Sequence, residues 1–186
     1  MDLTIRSNVN LASLEISELS NLTHLSIDNI GDVSSIEISG FQNLTQLDIK
    51  NNYSLINLEI SELSNLYNLI IDNNDGLVNL NNFSQLPNLT HLTFHQNSNL
   101  ISLPDLNNFP NLTHLNLEEY NEVNDLGNLS ALSNLTYLDI SDQWHLMYLP
   151  DFSGLTNLDS LTIRYNNSIM TIPDLSSLEN LSYCHV

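Results

Sequence analysis

The chain has 186 residues, 22 Asp and Glu against 3 Lys and Arg, a formal net charge of −19 and a pI near 4.1. Gripping nucleic-acid phosphates or an anionic membrane needs clustered cations, which Arg6, Lys50 and Arg164 cannot supply. Only 13% of residues are charged while 41% are hydrophobic, the composition of a folded chain short of cations and not of an acidic disordered tail.

About one residue in five is Leu and about one in six is Asn, a skew that marks a repeat. Taken in chain order, lines beginning at Leu22, Leu44, Leu66, Leu89, Leu112, Leu135, Leu158 and Leu181 fall into register, with a period of 22 residues and then 23. Residues 1–21 make a further line without its first residue, because Leu3 and Ile5 match Leu25 and Ile27. Residues 1–186 therefore form a single domain of about eight repeats with a C-terminal stub, LSYCHV. Each line opens LxxLxI or LxxLxL, and the period-two alternation at its end predicts a short strand with one buried face. Successive strands stack in parallel about 4.8 Å apart, since one line cannot bury its own leucines. Pro104, Pro150 and Pro173 in the return segments disfavour full helices and predict 3₁₀ turns or extended pieces. In the first three lines LEIS, IEIS and LEIS, at 14–17, 36–39 and 58–61, alternate strictly and predict a small strand on the opposite side.

The position eight after the leading Leu holds Asn8, Asn52, Asn74, Asn97 and Asn166, whose amides can donate and accept between coils. Ile30, Tyr120 and Gln143 depart from it, and at Ile30 a water or a local bulge is expected to intervene. With LxxLxL recurring eight times, the chain resembles the leucine-rich repeat family over its whole length. LPDLNNF, LPDFSGL and IPDLSSL resemble the closing half of plant-type 23-residue repeats, and the 22-residue lines are similar to internalin-like spacing. The resemblance implies an α/β-class solenoid, here mostly β. It would be curved and right-handed, with a parallel sheet on the concave side, short 3₁₀ or extended convex segments, and a protein-recognition role.

Sorting the outward positions by column locates the charges. The sixth after the leading Leu reads Arg6, Asp28, Lys50, Asp72, His95, Glu118, Ser141 and Arg164, so all three cations share one column. Arg6, Asp28, Lys50 and Asp72 read as a ladder of opposite charges, either simple compensation between lateral neighbours or a recognition stripe. The next column reads Ser7, Asn29, Asn51, Asn73, Gln96, Glu119, Asp142 and Tyr165. With Glu118 and Asp139 it makes the C-terminal half locally acidic, suited to a neutral or basic protein partner. The second column carries His91, His114 and Tyr137, rigid rings that bury area at small entropic cost. The candidate partner-binding residues are Tyr67, His91, His95, His114, Glu118, Tyr137, Asp139 and Tyr165.

Catalytic and metal chemistry find little support. His91 and His95 are about 13 Å apart on a strand and cannot share an ion. His91 and His114 should be lateral neighbours that hinder each other's protonation, but Asn68 and Tyr137 flank them and no third ligand is evident. Asp72–Gly76, DNNDG, has Phe83 where a calcium loop needs its closing carboxylate, and reads as a corner. No nucleophile elbow, zinc-protease motif or phosphate loop occurs, and no cofactor is expected. The sequons at Asn21, Asn43, Asn88, Asn111 and Asn134 read as by-products of the repeat. Cys184, alone and at a core leucine position, excludes a disulfide framework. No signal core or membrane-length apolar run is present, so a soluble chain is expected, cytoplasmic or, as a fragment of a longer chain, extracellular. Leu3, Ile5, Leu181 and Val186 leave apolar edges, suggesting a longer array or end-to-end self-association. These readings converge on a non-enzymatic protein-interaction module acting through the concave sheet. The alternatives are a secreted or surface adhesion module recognising a host receptor or glycan, and a self-assembling structural spacer.

Overall fold

Period-two alternation becomes a strand where the next coil repeats it, because only then do the backbone groups find partners. The computed structural model describes all residues except Val9, Ala12, Glu15, Ser17, Glu18, Gln85, Tyr120 and Asn121, and only the backbone at Asn79, Asn81, Asn82 and Ser84. The first half holds β1 (Asp2–Arg6), β2 (His24–Asp28), β3 (Ser35–Ser39), β4 (Gln46–Lys50), β5 (Asn57–Ser61), β6 (Asn68–Asp72) and β7 (Asn79–Ser84). The second holds β8 (His91–His95), β9 (His114–Glu118), β10 (Tyr137–Ser141), β11 (Ser160–Arg164) and β12 (Tyr183–His185). Parallel pairing builds a nine-stranded sheet, β1-β2-β4-β6-β8-β9-β10-β11-β12, and a three-stranded sheet, β3-β5-β7.

The leading leucines from Leu22 to Leu158 are fully buried, as are Leu25, Ile27, Leu47, Ile49, Leu69 and Ile71 on the inner face of the long sheet. Truncating such a residue to Ala costs about 2–5 kcal/mol. Cys184 lies in register with Leu161 as its column demands, yet it is exposed, because β12 is the last strand of the sheet.

The second sheet bears out the alternation at 36–39 and 58–61. Glu15 and Ser17 of the first LEIS lie outside the described residues. Its third strand, β7, comes from NLNNFS, whose pattern did not announce it. There the register shifts between Glu59/Asn81 and Ser61/Ser84, so a bulge absorbs the residue that lengthens the repeat from 22 to 23. Beyond that point the second sheet ends. The Pro-Asp segments turn instead, with Asp105, Asp151 and Asp174 each accepting from the N–H two residues on, at 3.1, 2.9 and 2.9 Å. One 3₁₀ turn forms among the described residues, at Leu106–Asn108.

At the end of each strand the chain turns through a left-handed residue. Ser7, Asn29, Asn51, Asn73, Gln96, Glu119, Asp142 and Tyr165 all have φ between 50° and 59°. From Ser7 through Asp142 the N–H there donates to the following coil, as from Asn51 to the Asp72 carbonyl at 3.0 Å. Asn is preferred in this conformation, which accounts for the recurring Asn.

The next residue fills the corner. Asn74 Oδ1 accepts from Asn52 N at 3.0 Å, Asn97 Oδ1 accepts from Asn74 N at 3.2 Å, and their Nδ2 groups donate back to Ile49 and Ile71 carbonyls. Gln143 continues the pattern with a longer amide, its Nε2 donating to the Leu117 carbonyl at 3.0 Å and its N–H to Asn166 Oδ1 at 2.8 Å. Ile30 needs neither water nor a bulge. Its N–H donates to Asn52 Oδ1 at 3.2 Å, the β2–β4 register is unbroken, and its side chain fills the core. Among the described residues the Asn8 side chain bonds locally, its Nδ2 donating to the Arg6 carbonyl at 3.1 Å; Tyr120 lies outside the described residues.

Candidate functional site

Strand spacing and ring stacking have nearly the same length, and the outward face of the long sheet uses that coincidence. β8, β9 and β10 place His91 beside His114 and His114 beside Tyr137. The imidazoles stack at 4.3 Å between centroids and 12° between planes, and the Tyr137 ring follows at 5.8 Å and 20°. Thr90 and Thr113 anchor the imidazoles, each Oγ1 lying 2.9 Å from the Nδ1 of the following histidine. Partial burial, and then the neighbouring His91, holds the His114 pKa below its ordinary value. The Tyr137 pKa is shifted upward, first by burial, then by the Asp139 charge, by the hydrogen bond to Asp139 and by the Glu118 charge, with Arg164 opposing.

Asp139 is the unexpected member. It points to the outward face yet is only 5% exposed, flanked by the Tyr137 hydroxyl at 3.3 Å and by the Ser141 hydroxyl, which donates to it. Thr162 and Ser141 beside it are buried as well, so the centre of this face is a lined floor and not an open plane. The sequence named Asp139 as a charge; no signal in it foretold the burial.

The sixth column is in register from Arg6 through Asp28 and Lys50 to Asp72, but its charges do not pair along the ladder among the described residues. Lys50 reaches Asp48 on its own strand at 3.4 Å, Asp28 accepts from Asn51 Nδ2 at 2.7 Å, and Asp72 contacts His95 Nδ1 at 2.9 Å. Short carboxylates take the nearest donor, and the next coil's left-handed amide or imidazole is nearer than the extended Lys or Arg tip. His95 bridges two acids, with Glu119 at 3.9 Å from its Nε2. His24 similarly stands 3.5 Å from Asp48.

Of the candidate contact residues, the fold thus gathers His91, His114, Tyr137 and Asp139 into one group. It sets His95 and Glu118 at the C-terminal ends of the same strands. Tyr67 stands apart, one residue before β6, in the position that Thr45 and Thr90 occupy in adjoining coils. Tyr165 is the left-handed residue after β11, 67% exposed, with the Arg164 guanidinium 5.6 Å from its ring centre.

The Asp72–Gly76 segment is a corner. Asn73 is left-handed, Asn74 belongs to the amide ladder, and Asp75 accepts from Ser98 N at 3.3 Å. A Cβ at Gly76 would overlap the Tyr53 and Leu55 carbonyl oxygens. Asn43, Asn88, Asn111 and Asn134 of the sequons donate Nδ2 to the preceding coil's backbone at 2.7 to 2.9 Å, a structural use of the amide. No group of three or more metal-ligating side chains occurs among the described residues. None of their helices is long and apolar enough to cross a membrane.

Sequence reading missed an apolar flank. Trp144, Met147, Tyr148 and Met170 are 60%, 44%, 62% and 66% exposed. Their coils are joined by the Met170 N–H to the Met147 carbonyl at 3.1 Å and by Ser168 Oγ to the Trp144 carbonyl at 2.6 Å. The signal was available: the position twelve after the leading Leu is apolar at Ile56, Val78, Ile101, Met147 and Met170, outside the core motif.

No protein-family model matches the chain, and no curated protein does. Among solved structures it is similar to a leucine-rich-repeat protein of Leptospira interrogans, with 20% identity and a TM-score of 0.49 over 98% of this chain and 59% of that one. It is also similar to an internalin of Listeria monocytogenes, with 19% identity and a TM-score of 0.45 over 89% of this chain and 68% of that one. The chain thus spans less than two thirds of the Leptospira protein's length. The architecture is carried by the chain's own 22- and 23-residue register, nine-stranded parallel sheet and buried amide ladder, which make it a solenoid of leucine-rich-repeat form.

Proposed function

We propose that the chain is a non-enzymatic protein-interaction module whose contact surface is the C-terminal half of the outward face of the long sheet. The observation that carries this reading is the continuous His91–His114–Tyr137 stack, three rings held in register by three paired strands. Rings fixed in this way lose little entropy on binding, the economy that makes aromatic side chains frequent anchors of interfaces. Glu118, Glu119, Asp139 and Asp142 lie around or beyond the stack, and favour a partner that is neutral or basic there.

The test is a His114→Ala/Tyr137→Ala variant, assayed against a partner captured by the intact chain. Affinity should fall by about a hundredfold, the effect of losing two anchor residues, while thermal unfolding changes little. Unchanged affinity would remove this face from consideration.

A second reading, self-association, is favoured by the exposed Trp144, Met147, Tyr148 and Met170 on the flank. Sedimentation over a concentration series checks it: growth that Trp144→Ser/Met170→Ser abolishes supports it, and a concentration-independent monomer ends it.

A further inference from the structure

The two stacked histidines carry more information than their contact area. Each hydroxyl of Thr90 and Thr113 has one hydrogen, and each oxygen lies 3.0 Å from a carbonyl of the preceding coil and 2.9 Å from an imidazole Nδ1. Where the hydrogen goes is settled by the rest of the repeat. Thr45 and Thr136, followed by Gln46 and Tyr137, make the same carbonyl bond at 2.8 and 3.0 Å with no histidine beside them. The hydroxyl hydrogen is therefore committed to the carbonyl, and Nδ1 of both imidazoles must be the donor to the threonine oxygen. Both Nε2 atoms are left as acceptors, with no hydrogen-bond partner among the described residues. His24 and His95 differ, since their Nε2 atoms face Asp48 and Glu119 at 3.5 and 3.9 Å.

Resting on the reading of this face as the contact surface, we propose that His91 and His114 are a proton-gated acceptor pair that holds an arginine side chain of a basic partner segment at neutral pH and releases it in acid. A guanidinium presents N–H donors in a planar fork, which suits two parallel acceptors 4.3 Å apart in ring spacing. Charge complementarity selects it: the chain has 22 acids against 3 cations, and Arg164, the cation of this half, already lies over the Tyr165 ring. A protonated imidazole has two donors and no acceptor, so a single proton on either ring destroys the pair and repels the cation.

The surroundings do not rescue that proton. Asn68 and Tyr137 flank the pair, uncharged at neutral pH. In the next outward column Ile70, Thr93 and Asn116 are neutral, and Asp139 is engaged by the hydroxyls of Tyr137 and Ser141. Asp72, His95 and Glu118 lie four residues further along their strands, followed by Glu119. Burial and the stacked neighbour both disfavour charge on His114, in the same direction.

The probes are synthetic octapeptides of alternating Arg–Ser, Lys–Ser and Glu–Ser, titrated calorimetrically at about pH 7.5 and about pH 5, either side of histidine titration. The Arg–Ser peptide should bind at the higher pH, bind more tightly than Lys–Ser, and weaken about tenfold or more at the lower pH. In His91→Gln/His114→Gln, neutral at both values, the pH dependence should fall to about twofold or less. Long-range ¹H–¹⁵N spectra of the free chain should show both histidines protonated at Nδ1. An Nε2–H tautomer at either ring, no Arg–Ser binding at the higher pH, or equal pH dependence in the Gln variant overturns the proposal. Binding that is pH-independent but lost in Tyr137→Ala overturns the gate and keeps the face. Binding indifferent to Tyr137 and to both histidines overturns the face as well.

Discussion

The two halves of the long sheet share one backbone and differ in what their outward side chains do. Across β2, β4 and β6 those side chains tie the coils together: Asn73 donates to Asn51 and Asn51 to Asp28, both at 2.7 Å, and His24 meets Asp48 of the next coil. Across β8 to β11 the same positions hold Gln96, Glu119, Asp142 and Tyr165, although each sits in the left-handed conformation that Asn adopts more easily. In the first half the left-handed corners of the long sheet from Asn29 to Asn73 hold the residue the backbone prefers, with Ser7 as the exception. In the second, Gln96, Glu119 and Tyr165 are residues that this conformation disfavours, beside a stack of rings and a buried carboxylate. Local rules broken at neighbouring positions accord with a functional use, and they support the proposal that the contact surface lies in the second half.

The halves differ on the other side too. The second sheet belongs to the early coils and Pro-Asp turns to three of the later 23-residue coils, with the β7 bulge as the joint between them. Coil-to-coil approach should nevertheless be equally tight in both. A Cβ at Gly154 would overlap the Ser130 backbone as one at Gly76 overlaps Tyr53. Gly154→Ala and Gly76→Ala should each cost about 3 kcal/mol or more in denaturant unfolding, the largest effects expected here. A tolerated substitution in one half would show that its coils are not clamped.

The amide ladder gives the next effect. Asn74→Ala removes the amide that accepts from the Asn52 N–H and donates to the Ile49 carbonyl of the preceding coil, and should cost about 2–3 kcal/mol. Asn166→Ala, at a half-buried site, should cost about 1 kcal/mol. Equal losses would erase the gradient between interior and edge.

Strain is the sharper discriminator. Tyr165→Asn should stabilise the chain by about 0.5–1 kcal/mol, and Asn51→Tyr should destabilise it by about 1 kcal/mol or more. If Tyr165→Asn also weakens partner binding, the strained residue has a use; a destabilising Tyr165→Asn would contradict the strain.

The smallest effect is in pH. His114 has its folded-state pKa below the unfolded value, so between the two the unfolded chain binds more protons. Stability should therefore fall as pH drops through about 6.5 and below, and His114→Gln should flatten that fall. At lower pH the Asp151 and Asp174 carboxyls, held down by their Ser153 and Ser176 hydrogen bonds, add a dependence of the same sign. Their stabilisation is present above the ordinary carboxylate pKa and is lost as pH falls through the folded-state value.

Much of this was legible in the sequence, because a repeat states its register many times over. The strands, the lateral pairing of His91 with His114 and the corner role of Asp72–Gly76 follow from column position alone. What escaped depends on side-chain competition. Lys50 and Asp28 are aligned, but Asp48 and Asn51 offer nearer partners, so the expected charge ladder does not close. Ile30 shows the converse error: its side chain cannot join the amide ladder, yet its backbone N–H does. The burial of Asp139 and the exposure of Trp144 depend on neighbours across coils, and no column read singly contains them.

The contact-face assignment is tested most directly by paired triple variants measured for affinity to one captured partner, with unfolding followed in parallel. His91→Ala/His114→Ala/Tyr137→Ala should reduce affinity about a hundredfold, and His24→Ala/Gln46→Ala/Asn68→Ala, in the same column of the first half, about threefold or less. Equal losses, or a larger loss from the first half, would contradict the placement of the contact face.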